Sequence, residues 1–116
     1  MELIKIYDKT CEVCSMLAGI DEEIADDNGM FFRQLTLEEC AKNKSHIRDY
    51  VVDVYVNPNE GMIDIPIYLI SNQLGQIQAS GVIKTAQELT NLISSYQKWV
   101  TSRNASSVPS MEKTAS

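Results

Sequence analysis

The sequence predicts an α/β domain built on a four-stranded mixed β-sheet with helices on both faces. Two apolar stretches near the N-terminus are each followed by a segment with helical spacing, which gives the order β-α-β-α. Two further strands are predicted around a turn at residues 72–75, and a final helical segment follows them. Strands separated by helices imply parallel crossovers, whereas the hairpin adds an antiparallel edge, so the full order is β-α-β-α-β-β-α.

The first half of the chain supplies two strands and two helical segments. Residues 2–7 predict a buried strand in which Lys5 is the polar exception, and residues 30–35 predict a second strand. Between them one helix is expected over residues 12–27, ended by Asn28-Gly29. Its apolar positions are Val13, Met16, Leu17, Ile20 and Ile24.

The stretch after the second strand is predicted to be mainly helical up to about residue 56. Thr36 followed by Glu39 is typical of a helix cap with a capping-box partner. Residues 51–56 are also rich in β-forming side chains, but the strand order leaves no slot for another strand. A loop is expected at residues 57–61 because of its Pro, Gly and Asn content.

The C-terminal half is predicted to contain a hairpin and one helix. A strand over residues 65–70 opens on Pro66, and residues 76–79 return as its partner before Ser80-Gly81 breaks the chain. Thr85 is expected to cap the last helix. The apolar stripe of that helix consists of Leu89, Leu92, Ile93, Tyr96 and Val100.

Length and composition indicate one acidic domain. The chain has 116 residues and a net charge of −6, with 16 acidic and 10 basic residues, so nucleic-acid binding is disfavoured. No apolar run approaches the roughly 18 residues that a membrane span needs. We expect a domain over residues 1–103 and a disordered tail over residues 104–116. Three cysteines, an odd number, favour a reducing compartment and therefore a cytoplasmic location.

Cys11 and Cys14 form a CxxC motif directly after the first predicted strand. If a helix begins near Cys11, its unpaired N–H groups and dipole favour the Cys11 thiolate. Cys14 would lie one turn along the same face, close enough to close a disulfide. The pair is therefore predicted to be a dithiol redox switch, with two unreactive thiols or half of a zinc site as alternatives.

The zinc alternative would add Cys40 and His46 to the two thiols. These residues are six positions apart on a predicted helix, so they do not share a face. We therefore expect no bound metal, a small buried side chain at Cys40 and a surface side chain at His46.

The sequence resembles the thioredoxin and glutaredoxin family over residues 1–103. Residues 6–14, Ile-Tyr-Asp-Lys-Thr-Cys-Glu-Val-Cys, are similar to the glutaredoxin active-site segment, although one residue shorter between the lysine and the first cysteine. Residues 65–69, Ile-Pro-Ile-Tyr-Leu, and the glycines at 75 and 81 are more similar to thioredoxin. The resemblance implies a thioredoxin fold of glutaredoxin size, of a kind that phages as well as cells encode.

The chain departs from the family pattern at four places. The dipeptide between the cysteines is Glu12-Val13, and Thr10 replaces the tryptophan that usually precedes the first cysteine of thioredoxin. Lys5 aligns with the buried aspartate that helps thioredoxins to deprotonate the second cysteine. Residues 80–82 do not match the glutathione contact of glutaredoxins, which lowers the expected dependence on glutathione.

The resemblance assigns roles to the site residues. Cys11 is expected to attack a substrate disulfide and Cys14 to resolve the mixed disulfide. Pro66 is expected to be cis and to bring the backbone of Ile65 beside the thiols, where its N–H and C=O would pair with an extended substrate. Gly81 is included in the same substrate-binding region. A trans proline at the start of an edge strand is the alternative for Pro66.

Four further residues are expected to tune the thiols. Glu12 places a like charge beside Cys11, so we expect it to raise the pKa of that thiol and to favour a reducing potential near −270 mV, about that of thioredoxin. Lys9 and Lys5 would offset this effect. Lys5 is expected either behind Cys14 or extended to solvent, and Tyr7 at the border of the site.

The implied activity is reduction of protein disulfides, with no bound cofactor besides the redox-active Cys11–Cys14 disulfide. The implied partners are disulfide-containing proteins, among them ribonucleotide reductase, with recycling by thioredoxin reductase or by glutathione. We expect a monomer in the cytoplasm, or in the host cytoplasm if the chain is viral. Two alternatives stay open: a glutathione-dependent glutaredoxin, and a non-catalytic module that binds a partner around Cys11 and Pro66.

Overall fold

The computed structural model describes residues 1–42, 46–56 and 63–107 of the chain. Its four strands are β1 (Glu2–Tyr7), β2 (Phe31–Thr36), β3 (Ile67–Ser71) and β4 (Ile77–Val82). They form one sheet in the order β2-β1-β3-β4, in which β1 and β2 are parallel and the other two pairs are antiparallel. The predicted four-stranded mixed sheet is therefore confirmed.

Five helices surround the sheet within the described residues: α1 (Glu12–Leu17), α2 (Ile20–Asp27), α3 (Leu37–Lys42), α4 (His46–Tyr55) and α5 (Ala86–Ser107). The two central strands are mostly apolar on both faces, with Lys5 as the buried exception in β1, and carry a hydrophobic cluster on each face. Leu3 and Ile70 pack on one face with side chains of α2 and α5. Ile4 and Leu69 pack on the other face with side chains of α3 and α4.

The single helix expected over residues 12–27 is wrong, because the structure divides it into α1 and α2. The break lies at Ala18 and Gly19, and Gly19 adopts φ +84°. That left-handed conformation is accessible to glycine and costly for other residues. The helical spacing of the apolar residues continues through the break, which is why periodicity alone did not reveal it.

The capping box at Thr36 is confirmed. The Thr36 hydroxyl accepts the Glu39 N–H at 3.1 Å, and the Glu39 carboxylate accepts the Thr36 N–H at 2.9 Å. The helical prediction that follows is met by α3 and α4, whereas residues 43–45 and the expected loop at 57–61 lie outside the described residues.

The C-terminal hairpin differs from expectation at one point. The break expected at Ser80-Gly81 is wrong, since both residues lie inside β4.

The predicted cap of the last helix is confirmed: the Thr85 hydroxyl caps α5 by accepting the Glu88 N–H at 3.1 Å. Helix α5 runs to Ser107, and residues 108–116 of the expected tail lie outside the described ranges, so the domain boundary stays a prediction. No helix in the described part of the chain is long and apolar enough to cross a membrane.

Candidate redox site

Cys11 and Cys14 lie where β1 ends and α1 begins, as the sequence predicted. Cys11 is the N-cap residue of α1, in an extended conformation with φ −80° and ψ 116°. Its Sγ accepts the backbone N–H of Cys14 at 3.2 Å. In the reduced protein, a hydrogen bond from this N–H to the sulfur would favour the thiolate of Cys11 over the thiol.

The two cysteines are paired as a disulfide and differ in exposure. Their Cα atoms are 5.2 Å apart, within the range that a disulfide requires. Cys11 is half-buried, whereas Cys14 is 2% exposed. An incoming substrate can therefore reach the first sulfur more easily than the second.

Ile65 and Pro66 lie at the same end of the sheet as the cysteine pair. Ile6 near the end of β1 is paired with Ile67 at the start of β3, directly after Pro66. The Ile65–Pro66 bond is cis, as the resemblance implied. The Ile65 carbonyl accepts a hydrogen bond from the Lys84 ammonium at 2.8 Å, which leaves one of its two lone pairs for another donor.

Gly81 reaches this end of the sheet through β4. It is paired with Tyr68 across the hairpin, and its neighbour Val82 is paired with Ile67. The Pro66 carbonyl accepts the N–H of Ile83 at 3.1 Å, which ties the end of β4 to the segment before β3. The sheet therefore brings Gly81 to the same end as the cysteines, while its role in substrate binding stays a prediction.

Lys5 is buried behind the second cysteine and does not extend to solvent. It is 1% exposed, and its ammonium donates a hydrogen bond to the Cys14 carbonyl at 2.9 Å. The same ammonium forms an ion pair with Asp21 Oδ2 at 2.6 Å. Tyr68 donates its hydroxyl hydrogen to that carboxylate oxygen at 2.8 Å. Lys5, Asp21 and Tyr68 therefore form one buried polar cluster against Cys14.

Asp21 and Tyr68 were not among the residues predicted for the site. Asp21 is 1% exposed, and its Oδ1 accepts the N–H of Glu22 at 2.8 Å. Burial raises the pKa of Tyr68, and the hydrogen bond to Asp21 adds to that shift, so its hydroxyl stays a donor. One signal was present in the sequence: a lysine within an apolar strand requires a buried partner of opposite charge.

The other predicted tuning residues differ in exposure. Tyr7 is half-buried, with its ring centre 5.6 Å from the Lys5 ammonium. Lys9 and Glu12 are exposed, so solvent screens their effect on the thiols. A cleft of about 300 Å³ is lined by Lys5 and Cys14 together with Tyr7, Lys9 and four further residues.

A second cleft, of about 540 Å³, lies between the ends of β1 and β2. Its charged lining is formed by Asp8, Lys9, Glu38 and Glu39. The Thr10 N–H and hydroxyl both donate to the carboxylate of Asp8 at 3.0 Å and hold its pKa below the ordinary value. These carboxylates are already engaged in local hydrogen bonds or ion pairs, so the cleft is a polar margin of the redox site.

Cys40 and His46 do not join the cysteine pair. Cys40 is buried on α3, and burial raises the pKa of its thiol. His46 is exposed and donates from Nε2 to the Gly75 carbonyl at 2.6 Å. Within the described ranges, no group of three or more His, Cys, Asp or Glu side chains is placed to hold a metal ion.

Comparison with known proteins gives a match at the level of structure. No protein-family model matches the chain, and no curated protein matches its sequence. Thioredoxin 1 from the thermophilic eubacterium Thermosipho africanus superposes with a TM-score of 0.62 at 15% identity, covering 87% of this chain and 99% of that one. The chain has the thioredoxin fold. A structure described as a malarial protein has 17% identity and a TM-score of 0.46, with coverage of 84% and 96%.

In this thioredoxin-fold protein, the cysteine pair occupies the β1–α1 connection and Pro66 precedes β3 at the same end of the sheet. The close Cys11–Cys14 pair can alternate between a dithiol and a disulfide, which indicates thiol–disulfide chemistry. The reaction requires no metal or organic cofactor, because the two sulfur atoms themselves carry the electrons.

Proposed function

We propose that this protein is a thiol–disulfide oxidoreductase that reduces disulfides in other proteins. The observation that supports this proposal most strongly is that the two sulfurs at the start of α1 differ in exposure and in hydrogen bonding. Cys11 is half-buried and its sulfur accepts an N–H, whereas Cys14 is almost fully buried. This difference fits an attacking thiol and a resolving thiol.

The reaction would proceed by two exchanges. The Cys11 thiolate attacks one sulfur of the substrate disulfide, the substrate S–S bond breaks, and one substrate thiolate leaves and takes a proton from water. The Cys14 thiolate then attacks Cys11 Sγ, which releases the second substrate thiolate and forms the Cys11–Cys14 disulfide. The substrate gains two electrons and two protons, and the dithiol of this protein is oxidised.

An extended substrate segment would bind beside Ile65 and Pro66, with Gly81 at the margin. The proposed contacts are backbone hydrogen bonds to the N–H and C=O of Ile65. Lys84 already donates to that carbonyl, so a substrate N–H would use the remaining lone pair.

We further propose that the oxidised protein is recycled by a thioredoxin reductase and works in the cytoplasm. The basis is the resemblance to thioredoxin in the C-terminal half and the unmatched glutathione contact at residues 80–82. Ribonucleotide reductase is a specific candidate for the oxidised partner, proposed on the family resemblance alone.

The test is insulin reduction with two recycling systems in parallel. One contains NADPH and thioredoxin reductase, and the other contains NADPH, glutathione and glutathione reductase. We expect turnover with the first system and little with the second. Turnover with the glutathione system alone would favour a glutaredoxin. If insulin is reduced with neither recycling system and also not with dithiothreitol as the reductant, a non-catalytic module would be favoured.

Cysteine variants assign the roles of the two thiols. Cys11→Ser should abolish turnover, whereas Cys14→Ser should accumulate a mixed disulfide with the substrate that mass spectrometry detects. Cys40→Ala is the matched control because it removes the third, buried thiol and should leave turnover intact. Full turnover by Cys14→Ser with glutathione would contradict the dithiol mechanism.

A further inference from the structure

A buried cation, Lys5, contacts the backbone of the proposed resolving cysteine. The role inferred for it rests on the dithiol exchange proposed above. The Lys5 ammonium donates to the Cys14 carbonyl at 2.9 Å. Covalent geometry within Cys14 therefore places that ammonium within about 8 Å of Cys14 Sγ. Both side chains are almost fully buried, so solvent screens their interaction weakly.

We propose that Lys5 is a positioning residue for the second exchange, held by Asp21 and Tyr68 so that its charge favours the thiolate of Cys14. Asp21 fixes the ammonium at 2.6 Å, and Tyr68 fixes the carboxylate at 2.8 Å. The third contact of the ammonium is its hydrogen bond to the Cys14 carbonyl. This bond fixes the cation relative to the turn of α1 that carries the thiol.

Asp21 is held by three hydrogen-bond donors. Oδ2 accepts from Lys5 and Tyr68, and Oδ1 accepts from the Glu22 N–H. A cleft of about 300 Å³ borders both Lys5 and Cys14. In the proposed step the Cys14 proton leaves to water through this cleft.

The second exchange conserves atoms and electrons. Cys14 loses its proton to water, and the thiolate forms a bond to Cys11 Sγ as the bond from Cys11 to the substrate breaks. The electron pair of that bond leaves with the substrate sulfur, which is protonated by water. Lys5 exchanges no proton and supplies only a fixed positive charge.

Several other charged or titratable groups surround Cys14, and the test must separate Lys5 from them. They are Tyr7, Asp8 and Lys9 around the cleft, Asp21 on α2, Tyr68 on β3 and Glu12 on the same helix. Among them, Asp21 carries the charge in direct contact with the Lys5 ammonium and opposes its effect.

The experiment measures alkylation of Cys14 by iodoacetamide against pH in a Cys11→Ser background, with the modified peptide identified by mass spectrometry. The decisive pair is Asp21→Asn against Lys5→Met/Asp21→Asn, since the two proteins differ only at residue 5, which is lysine in one and methionine in the other. We expect half-maximal alkylation about one pH unit higher in the double variant. Equal midpoints would overturn the proposal.

A second comparison applies even if Asp21→Asn does not fold. The double variant is compared with the parent, which retains both charges. Its midpoint should lie higher, since the Lys5 ammonium is hydrogen-bonded directly to the Cys14 carbonyl. An unchanged or lower midpoint would contradict the proposal. Tyr68→Phe removes one hydrogen bond of the cluster but keeps both charges, so its midpoint should move less than that of the double variant.

Two readouts separate this inference from the proposed function. Alkylation of Cys11 in a Cys14→Ser background should shift less than that of Cys14, whereas a general structural defect would move both. The Cys14 profile needs no substrate, so it tests Lys5 even if the protein reduces no disulfide. Conversely, a protein that reduces insulin but has identical Cys14 profiles would retain the proposed function without a role for Lys5.

Discussion

The hydroxyl of Tyr68 donates to Asp21 Oδ2 over 2.8 Å, joining β3 to α2 across 47 residues of sequence. Both residues are buried, so the bond cannot be replaced easily by one to water. Tyr68→Phe should lower the free energy of unfolding by about 2 kcal/mol, the usual cost of losing a hydrogen bond to a charged group.

Urea unfolding followed by circular dichroism measures the effect of Tyr68→Phe. Tyr50→Phe is the matched control, since its hydroxyl bonds to Ser80, which also receives a hydrogen bond from Tyr55. We expect a smaller loss for the control. Equal losses of unfolding free energy in the two variants would show that the hydrogen bond to Asp21 stabilises the fold no more than the bond of Tyr50 to Ser80.

The ion pair of Lys5 and Asp21 should show strong coupling in a double-mutant cycle. Lys5→Met or Asp21→Asn alone leaves one buried charge unpaired and should cost about 3–5 kcal/mol. The double variant should lose less than either single variant, because no unpaired charge remains. Additive losses, measured by urea unfolding, would contradict a direct buried ion pair.

Glu39 should make stability depend on pH in the acid range. Hydrogen bonds from the Thr36 N–H and hydroxyl lower the pKa of Glu39 from its ordinary value of 4.5. A lowered folded-state pKa contributes stability above pH 4.5, and this contribution disappears as the pH falls through the folded-state value.

The advantage of the parent protein over Glu39→Gln should therefore shrink on acidification. Urea midpoints at a series of pH values from 7 to about 3 measure it. Glu23→Gln, at an exposed site on α2, serves as the control. A constant difference between the parent and Glu39→Gln across the series would show that the capping carboxylate does not titrate as expected.

Cys40 should be unreactive in the folded protein. It is 4% exposed, and burial raises the pKa of its thiol, so little thiolate is present at neutral pH. In the reduced protein, Ellman's reagent should react rapidly with Cys11, and Cys14 should then displace the bound reagent and release a second equivalent of its thiolate. Cys40 should react only after guanidinium is added. Three equally fast thiols in the native protein would contradict the burial of Cys40.

Gly19→Ala should destabilise the break between α1 and α2. Gly19 has φ +84°, and a methyl group added to its Cα would meet no atom within 4 Å. The expected cost of about 1–2 kcal/mol therefore comes from the backbone conformation alone. Gly81→Ala is the matched control, where the added carbon meets only Ile83 Cδ1 at 3.6 Å. Thermal unfolding should distinguish the two, and equal transitions would disprove the backbone argument.

The order of the strands along the chain and the position of the cysteine motif were predictable because their signals are local. Alternating apolar and turn residues define the strands, and the three-residue spacing of Cys11 and Cys14 fits one turn of helix. The break at Gly19 was missed because the apolar spacing continues through it. The extension of β4 through Gly81 was missed because a single glycine is tolerated inside a paired strand.

The sequence by itself determined the sheet and the dithiol, since both depend on residues within one or two elements. Only the tertiary structure decided which charged and polar side chains lie near the second thiol. Lys5, Asp21 and Tyr68 come from β1, α2 and β3, and no local pattern pairs them. The physical reason is burial: a lysine enclosed by the packed sheet and helices requires a partner of opposite charge, and the fold places Asp21 there.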